Sequence, residues 1–548
     1  MDVQAPELKV AGRRVTGFAV GMLLIVGFAV LLRLQGIHDP ILDHPNWRQG
    51  DTASIARNFA RLNYSIMAPQ TNYDGPPPNY VELELQIVPF VAATLYKFFG
   101  VHEIFGRLLT LAFSVGTVFA LGLFGRWLFS SWAAGLVAAF VFAVVPGSIY
   151  YGRTFTPDAA MVFFLTAGLY ACARLIVEDE ALKPRPLARS TALIAFAYLA
   201  KPVALVGILP LCAMVWERAR AGRTMRPTAI AVLLFVPVAI VYLYGRRVAE
   251  HAEWHWASGI ATLHVFPALQ SALTTGPGFV LKALQFKDVL GMLVHTMLGP
   301  IPSLLAIAGI CALPWVAART TTLLWGWLAG GLLYTYVVVT VERVDYYMFL
   351  LLPLGALLIA GLVSLLLRAL AQRPALPALR WATAAVALLL AAVTVQQSRA
   401  AIAPYYRYNK QVYRNAIALS QTLDPSALVV MGHYGPDVLY YMDRYGWEED
   451  PLAWTPFDEE SAIAKGARAY VSIEDNRLRK NLELCAWLQR FPLVNTQAQW
   501  PVYITDPARI EPGAIAFWQA FRKAEAAGGG RQYLDAHHVC ALAGLGQR

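Results

Sequence analysis

The feature that most constrains this chain is a series of long apolar stretches that recur through residues 14–396. A stretch of about 17–25 apolar residues is long enough to cross the hydrocarbon core of a bilayer as a helix. Eleven stretches are candidates, near 14–34, 105–125, 132–150, 158–177, 189–200, 203–217, 228–245, 295–316, 321–340, 346–369 and 381–396. We therefore predict an α-helical polytopic membrane protein with about eleven transmembrane helices.

Composition supports this interpretation and excludes other classes of protein. Of the 548 residues, 57% are hydrophobic and 15% are charged, whereas soluble domains average about 25% charged residues. A water-soluble enzyme is therefore excluded. The formal net charge is +10, but the basic residues lie between apolar stretches rather than along one stripe. That distribution favours orientation in a membrane over binding of nucleic acid.

One polar pair interrupts the apolar pattern. Lys201-Pro202 separates the short stretches 189–200 and 203–217. A charged residue beside a proline predicts a broken helix or a tight hairpin. The alternative is one long kinked helix, which would reduce the number of spans to ten.

Orientation follows from the loop charges. With the N-terminus in the cytoplasm, the short outer loops carry only Arg153, Lys201 and Arg343, and the inner loops carry the greater share of arginine and lysine. This bias is the positive-inside pattern. We predict a multi-pass protein of the bacterial inner membrane whose polar cluster faces the periplasm.

The domain organisation follows from the same topology. We predict a transmembrane domain over 1–396, with a first periplasmic loop at about 36–104, and a small periplasmic α/β domain over 397–548. Within the loop, 52–61 and 83–99 are amphipathic and are predicted to lie as helices in the membrane interface plane. In the C-terminal segment we predict strands at 427–433, 467–473 and 500–505, and helices near 405–422, 458–466 and 477–490.

Two features of the C-terminal segment stay open at this point. Cys485 and Cys540 both fall in an oxidising compartment, so the paired and unpaired alternatives are both compatible with the sequence. No metal-ligand spacing such as Cys-x-x-Cys occurs. Four residues at one strand end form either a contact edge for an acceptor or ordinary packing and turn structure. They are His433, Tyr434, Asp437 and Tyr440.

Unusual polar residues converge on one side of the membrane. Asp51 follows the first span, Asp158 begins the fourth, Lys201 lies at the outer hinge, and Tyr346 and Tyr347 begin the tenth. Charges near a bilayer are costly and usually face a cavity or a partner. Each residue also has a simpler explanation: the acids suit the first turns of helices, and the tyrosines suit an interfacial belt.

The residue types indicate a group-transfer reaction. An acid at the mouth of a lipid-facing cavity can deprotonate an acceptor hydroxyl or amine. Nearby arginine and lysine can bind the phosphate of a lipid carrier. Soluble sugar nucleotides are cytoplasmic, so a site on the outer face requires a lipid-linked donor.

Several motifs then resemble a known family. They include Trp-Arg-Gln-Gly-Asp-Thr at 47–52, Ile-Ala-Arg-Asn-Phe at 55–59, Thr-Pro-Asp at 156–158, Ala-Lys-Pro at 200–202, and Tyr-Tyr at 346–347 running into Leu-Leu-Pro at 351–353. With these motifs in this order, the chain resembles the C-type membrane glycosyltransferases. The group in question contains the protein O-mannosyltransferases and the lipid A aminoarabinose transferase.

The resemblance implies an inverting transfer of a sugar from a polyprenyl phosphate to a periplasmic acceptor. Asp51 corresponds to the catalytic base of the family. Asp158 corresponds to an acid that shapes the site or helps to hold a metal ion or the acceptor. Many relatives have a Lys-Pro-Pro element late in the first loop, but 74–84 contains no lysine here; Glu84 instead fits the spacing of a subgroup with a glutamate before Phe-Pro-Leu-Tyr. The phosphate contact must then come from other cations, with Arg48, Arg57, Arg153, Lys201 and Arg343 as candidates.

We therefore predict a glycosyltransferase with Asp51 and Asp158 as catalytic acids, and with Glu84, Tyr346 and Tyr347 beside the cations in the substrate site. The partners expected are the lipid-linked donor, an envelope acceptor (lipid, glycan or protein) and membrane lipids, with no nucleic acid. No residue is assigned as a metal ligand, and the sequence leaves open whether a divalent metal ion is a cofactor. Two rivals are a glycan polymerase or ligase with a lipid-diphosphate donor, and a lipid-linked sugar transporter or flippase, which would favour midplane polar residues and an internal repeat.

Overall fold

The structure is a computed structural model. It describes residues 7–10, 13–178, 183–223, 225–372, 377–494, 496, 498–510, 512–537 and 540. The chain divides into two compact units. We call them the helical unit (Met1–Asp39, Glu82–His251 and His255–Tyr406) and the mixed unit (Pro40–Val81, Ala252–Trp254 and Arg407–Arg548). This division places residues 40–81 of the predicted first loop with the C-terminal segment. The assignment of 1–396 and 397–548 to two functional domains stays a prediction.

The helical unit consists of apolar helices. Each of the eleven predicted stretches contains one, and many begin with proline, whose fixed φ suits the first helical turn. The α-helices are Gly17–Arg33, Ile87–Phe99, Glu103–Phe129, Trp132–Val144, Pro146–Tyr151, Asp158–Glu178, Pro184–Ala200, Ile208–Arg220, Pro227–Ala249, Trp256–Gly259, Phe266–Thr274, Gly276–Met292, Pro300–Ala312, Thr322–Tyr334, Thr340–Glu342, Leu352–Ala371 and Pro377–Ile402.

Shorter elements complete this unit. The 3-10 turns are Pro202–Gly207, Leu313–Trp315, Asp345–Leu351 and Ala403–Tyr406, and the π-helical turns are Ile260–Val265, Leu293–Met297 and Thr335–Val339. An N-terminal hairpin pairs strand Glu7–Val10 with strand Arg13–Thr16. Two further short strands, Val81–Glu82 and Trp254–His255, lie where the chain passes between the units.

By length and composition, seven helices of the described chain can cross a membrane, or eight if the bent pair Gly276–Met297 and Pro300–Trp315 counts as one span. This count is below the predicted eleven because Gly17–Arg33, Trp132–Val144 and Pro184–Ala200 are short, at 17, 13 and 17 residues. Large apolar side chains remain exposed on the outside of this unit, as on Leu273, which is 77% exposed. Exposed apolar side chains suit a lipid solvent. The predicted multi-span α-helical membrane fold is confirmed.

The break at Lys201-Pro202 is confirmed. The helix Pro184–Ala200 ends one residue before Lys201, whose backbone is extended with φ −162° and ψ 119°. Proline disfavours helical backbone in the residue before it. A new helical segment begins at Pro202, so the alternative of one kinked helix is wrong.

Small residues allow the helices to pack closely. A Cβ added at Gly135 would lie 2.5 Å from the carbonyl oxygen of Gly122, between the helices Trp132–Val144 and Glu103–Phe129. Ala134 and Ala138 pack beside Gly125 in the same contact. Close backbone approach through glycine and alanine is typical of helix pairs in membranes.

The mixed unit contains a five-stranded sheet. Its strands are β1 (Leu428–Met431), β2 (Gly446–Glu448), β3 (Ala467–Val471), β4 (Leu493–Val494) and β5 (Val502–Tyr503). Their order is β2-β1-β3-β5-β4; β1 pairs parallel with both neighbours, and β5 pairs antiparallel with β3 and β4. The predicted strands at 427–433, 467–473 and 500–505 are confirmed as β1, β3 and β5. The sequence did not predict β2 or β4.

Helices make up most of the rest of this unit. They are Asn46–Arg61, Lys410–Thr422, Pro436–Met442, Pro456–Ala464, Asp475–Leu478, Leu482–Leu488, Pro512–Ala526 and Gly530–Ala536, with a 3-10 turn at Pro507–Arg509. The core contains Trp487, Tyr470 and Phe521. Cys485 and Cys540 form a disulfide with a Cα–Cα distance of 6.2 Å, so the paired alternative is confirmed.

The first-loop helix Asn46–Arg61 corrects one prediction. Residues 52–61 were expected to lie in the membrane interface plane, but every residue from Arg48 to Phe59 is buried within the mixed unit. A helix buried around its whole circumference is a core helix rather than an interfacial one. The second predicted segment forms the helix Ile87–Phe99, in which Val88 and Ala92 are buried and the apolar Phe98 is 77% exposed. Its position in the membrane interface plane stays a prediction.

Candidate functional site

Asp51 lies on the buried first-loop helix of the mixed unit. Its side chain is 1% exposed. One carboxylate oxygen accepts a hydrogen bond from Nη1 of Arg48 at 2.6 Å, and the other accepts from the hydroxyl of Tyr73 at 3.0 Å. Both contacts are charge-assisted and short, so they orient the carboxylate.

A glycine beside Asp51 explains how this helix is buried so deeply. A Cβ at Gly50 would lie 2.5 Å from the Cα of Asp437, on the helix Pro436–Met442. Only glycine permits such an approach of two backbones. In the same helix pair, the carboxylate of Asp437 accepts from the side-chain amide of Asn46 at 2.9 Å. Asp437 and Tyr440 are therefore packing residues of the mixed unit, and Tyr434 of that predicted edge remains exposed.

Further acids surround Asp51. Burial and the charge of Asp51 raise the pKa of Asp74 to about 6. Burial, with the charges of Asp74, Asp51 and Asp437, raises the pKa of Glu448 well above its usual range. Burial raises the pKa of Asp437 as well. We name these four residues the acidic cluster: Asp51, Asp74, Asp437 and Glu448. Its like charges in a dry environment favour retention of protons.

Backbone geometry brings the acidic cluster together. Asp74 has a left-handed φ of +71°, and the amide of Gly75 after it donates to the carbonyl of Gly446 at 2.8 Å. Glu448 is the last residue of the strand that Gly446 begins. The first loop therefore joins the edge strand β2, which the sequence did not predict. Tyr73, Asp74 and Glu448 were missed for that reason; the only sequence signal was the Asp-Gly pair at 74–75.

Arg57, a predicted phosphate ligand, has other partners. Its Nη1 lies 2.8 Å from Asp443 and donates to the carbonyl of Tyr440 at 2.8 Å. Its guanidinium also lies 4.5 Å from the centre of the Tyr440 ring. These contacts connect the first-loop helix with the helix Pro436–Met442. Arg48 likewise contacts Asp51, so both cations neutralise acids within the mixed unit.

The helical unit contains a second polar group. Nζ of Lys201 lies 2.6 Å from Oδ1 of Asp158, and both residues are buried. The ammonium also lies 4.9 and 4.3 Å from the ring centres of Tyr346 and Tyr347. A cation over aromatic faces is attracted by their quadrupoles. We name these four residues the lysine cluster: Asp158, Lys201, Tyr346 and Tyr347.

Local structure places each member of the lysine cluster at a helix end. Asp158 is the first residue of the helix Asp158–Glu178 after Pro157, a position where the helix dipole favours an acid. Lys201 is the extended residue between two helical segments. Tyr346 and Tyr347 lie in the 3-10 turn Asp345–Leu351. The predicted convergence of these four residues is therefore present in the structure.

The other predicted residues of this unit differ in exposure. Arg153 is buried, donates to the carbonyl of Gly36 at 3.0 Å, and lies 4.8 and 4.6 Å from the ring centres of Tyr150 and Tyr406. Arg343 is exposed and has a left-handed φ of +48°. Glu84 is buried at 8% exposure. The amide of its neighbour Leu85 donates to the carbonyl of Leu199 at 2.8 Å, two residues before Lys201.

The arrangement of possible ligands does not suit a metal ion in the part of the chain that the structure describes. Among the residues that the structure describes, no three His, Cys, Asp or Glu side chains are grouped so as to hold one. Asp158, an acid to which the family resemblance gives a metal-holding role, instead accepts from a lysine ammonium at 2.6 Å. A bound ammonium occupies the position where a cation would be expected. No step of the mechanism is therefore assigned to a metal.

Comparisons with known proteins agree with the fold. Residues 86–244 match the family model described as dolichyl-phosphate-mannose-protein mannosyltransferase. Comparison with curated protein sequences finds no match. Three solved structures are similar over most of the chain, although all are only 14% identical to it.

The first of these structures is the oligosaccharyltransferase of Archaeoglobus fulgidus in its apo form, with a TM-score of 0.59, 86% of this chain covered and 71% of that chain. The oligosaccharyltransferase AglB of the same organism, in complex with an inhibitory peptide and a dolichol-phosphate, has a TM-score of 0.56, with 90% and 75% covered. ArnT from Cupriavidus metallidurans, bound to undecaprenyl phosphate, has a TM-score of 0.52, with 89% and 99% covered. The chain therefore shares the fold of these solved structures over most of its length, and part of its helical unit is similar to the mannosyltransferase family model.

Proposed function

We propose that the protein transfers a sugar, with inversion, from a polyprenyl-phosphate carrier to a cell-envelope acceptor at the periplasmic face of the bacterial inner membrane. The acceptor is a lipid, a glycan or a protein. The observation that carries this proposal is the lysine cluster, in which a buried ammonium is held at the ends of apolar spans. A lipid phosphate is an anion that reaches a protein from the bilayer, and lysine binds phosphate as a point charge.

Lys201 would bind the carrier phosphate. In the transfer step, the bond between the sugar C1 and the phosphate oxygen breaks, and the carrier phosphate leaves with the electron pair. The ammonium stabilises the negative charge that develops on that oxygen. Asp158, 2.6 Å from Nζ, orients the ammonium before the donor arrives. Tyr346 and Tyr347 exclude water from it. Exposed Arg343 would attract the phosphate at longer range.

Asp51 would act as the general base. It takes the proton of the acceptor hydroxyl or amine while the acceptor atom forms its bond to C1 on the face opposite the phosphate, which inverts the configuration. Arg48 and Tyr73 orient the carboxylate. A negative charge on the neighbouring Asp74 favours proton uptake by Asp51, because it repels the charged carboxylate. Glu84 and Arg153 would complete the substrate site.

The fold relatives support a lipid-phosphate donor. One similar structure is bound to undecaprenyl phosphate and another to a dolichol-phosphate. We infer that the carrier of this protein is of the same chemical class. The sugar and the acceptor are left open by this inference.

The donor class can be tested with purified protein in detergent. Membrane extract of a deletion strain serves as the acceptor, and a radiolabelled sugar is offered on undecaprenyl monophosphate or on undecaprenyl diphosphate. We expect incorporation from the monophosphate only. Incorporation from the diphosphate only would contradict the proposal in favour of a polymerase or ligase. Movement of the donor between vesicle leaflets without a new glycosidic bond would favour a flippase.

The side of the membrane can be tested by cysteine labelling. Cys172, Cys212 and Cys311 are unpaired and are first replaced by alanine. Single cysteines are then introduced at exposed positions of each unit, Arg343→Cys and Tyr434→Cys. In spheroplasts we expect an impermeant maleimide to label both. Labelling of either position only after lysis would contradict the periplasmic assignment.

A further inference from the structure

An acid outside both clusters has an unusually complete set of hydrogen-bond donors. Asp345 is 7% exposed. Oδ1 accepts from the hydroxyl of Tyr151 at 2.6 Å and from the amide of Tyr346 at 2.9 Å, and Oδ2 accepts from the hydroxyl of Tyr405 at 2.5 Å. The three donors come from three separate segments of the helical unit. An ionised carboxylate only accepts, so it can receive all three bonds at once.

These bonds hold the turn that carries the two tyrosines of the lysine cluster. Asp345 is the first residue of the 3-10 turn Asp345–Leu351. The hydroxyl of Tyr334 donates to the carbonyl of Tyr347 at 3.1 Å, which is a second contact that fixes the turn. A 3-10 turn has poor intrinsic hydrogen-bond geometry and depends on such external contacts. The positions of the Tyr346 and Tyr347 rings over the ammonium therefore depend on Asp345.

We propose that Asp345 is a positioning residue for Lys201: its carboxylate holds the turn Asp345–Leu351 so that Tyr346 and Tyr347 enclose the ammonium. Asp345 touches neither donor nor acceptor in this proposal. It acts by keeping water from Lys201 and by limiting where Nζ can move. Its effect on catalysis rests on the proposed function, because Lys201 is there assigned to the carrier phosphate.

Asp345→Asn is the first test, because the variant keeps the shape of the side chain and loses one of its two acceptor oxygens. An amide offers one neutral acceptor oxygen and an NH₂ group, so both tyrosine hydroxyls lose a charged acceptor and one of them loses its acceptor altogether. The double variant Tyr151→Phe/Tyr405→Phe removes the donors instead and serves if Asp345→Asn fails to fold. Tyr198→Phe is the matched control: Tyr198 is a buried tyrosine of the same unit whose hydroxyl has no hydrogen-bond partner in the described chain.

The first readout does not depend on transfer activity. The full-length protein in detergent is treated with acetic anhydride, and the acetylation rate of Lys201 is followed by mass spectrometry. We expect the rate to rise about 3-fold or more in Asp345→Asn and in the double tyrosine variant, because local opening exposes the amine. Tyr198→Phe should leave it unchanged. Lys282, a buried lysine of the same unit, reports on global unfolding. An unchanged Lys201 rate, or an equal rise at both lysines, overturns the inference.

The second readout is the dissociation constant for undecaprenyl phosphate in a double-mutant cycle. We expect Asp345→Asn to weaken binding about 10-fold in the wild-type background and to have no further effect in Lys201→Gln, as expected for residues that act through one another. Equal losses in both backgrounds mean a merely structural role and overturn the inference. If Lys201→Gln itself leaves binding unchanged, the phosphate role in the proposed function fails, while the acetylation rates still decide whether Asp345 positions Lys201.

Discussion

The two polar clusters of this protein are built on opposite electrostatic principles. The lysine cluster holds one buried acid and one buried base 2.6 Å apart, so its net charge is close to zero. The acidic cluster places four carboxyl groups in one region, with Arg48 in contact with Asp51 and Lys465 near Asp74, and burial raises the pKa of Asp74, Asp437 and Glu448. The charges of the first cluster pair with each other, whereas in the second cluster Asp51 pairs with Arg48 and burial favours the protonated form of the other acids.

This difference corresponds to the two halves of a transfer reaction. A paired ammonium can exchange one anionic partner for another, which suits the binding of a phosphate. A carboxylate that accepts a proton loses its charge, which relieves the repulsion from neighbouring acids. Changes in charge and in pH are therefore expected to affect the two clusters differently.

The largest effect is expected for the base. Asp51→Asn keeps the shape and removes the proton acceptor, so we expect the transfer rate to fall about 10²–10⁴-fold, the usual contribution of general-base catalysis. Initial rates with the monophosphate donor measure it. The matched control is Glu459→Gln, which alters a fully buried acid of the same unit outside the acidic cluster. Near-normal activity of Asp51→Asn would contradict the assignment of Asp51 as the general base.

The next effect concerns the lysine cluster. Lys201→Gln or Asp158→Asn leaves its partner as an unpaired buried charge, a loss of about 3–5 kcal/mol in typical buried pairs. We expect both single variants to melt at lower temperature than the wild type. The double variant should recover much of the melting temperature, because no charge is left unpaired, yet it should stay inactive. A double variant less stable than either single variant would show that the pair is not the unit of stabilisation.

A smaller effect is expected from pH and Asp74. Its carboxyl, with a pKa of about 6, is protonated below that pH and ionised above it. Ionised Asp74 repels the carboxylate of Asp51 and so favours its uptake of the acceptor proton. The transfer rate should therefore increase as the pH rises through about 6. Asp74→Asn should remove this inflection and lower the rate several-fold at pH 7.5. An unchanged pH–rate profile in Asp74→Asn would assign the inflection to another group.

The smallest effect concerns stability away from the acidic cluster. Burial, followed by the charges of neighbouring acids, raises the pKa of Glu449 to about 9 and of Glu459 to about 8. A carboxyl whose folded pKa is raised stabilises the fold when protonated and loses that contribution as the pH rises through the folded pKa. Between pH 7 and 9 the loss for one such group is about 1 kcal/mol.

Glu459→Gln cannot ionise, so its melting temperature should fall less than that of the wild type over this pH range. For a domain of this size the difference corresponds to about 2–4 °C, measured by thermal scanning of the full-length protein at pH 7 and pH 9. Equal falls in the two proteins would contradict the assignment of the pH effect to Glu459.

Part of the candidate site was predictable because its residues follow local rules. Asp158 after Pro157 and Lys201 before Pro202 lie at boundaries that proline and helix dipoles specify. Tyr73, Asp74 and Glu448 were not predictable. Their contact with Asp51 depends on the pairing of Gly75 with Gly446, and nothing local to either segment indicates that pairing. The burial of the first-loop helix was missed for the same reason.

By itself, the sequence determined that the protein is a multi-span helical membrane protein and where one span ends. The length of an apolar stretch and the position of a proline act within about twenty residues, so both can be read directly. Only the tertiary structure decided which charges meet. Asp158 and Lys201 are 43 residues apart, and Asp51 contacts residues from other segments. Such pairings depend on the packing of distant segments, where the cost of burying a charge selects the partner that neutralises it.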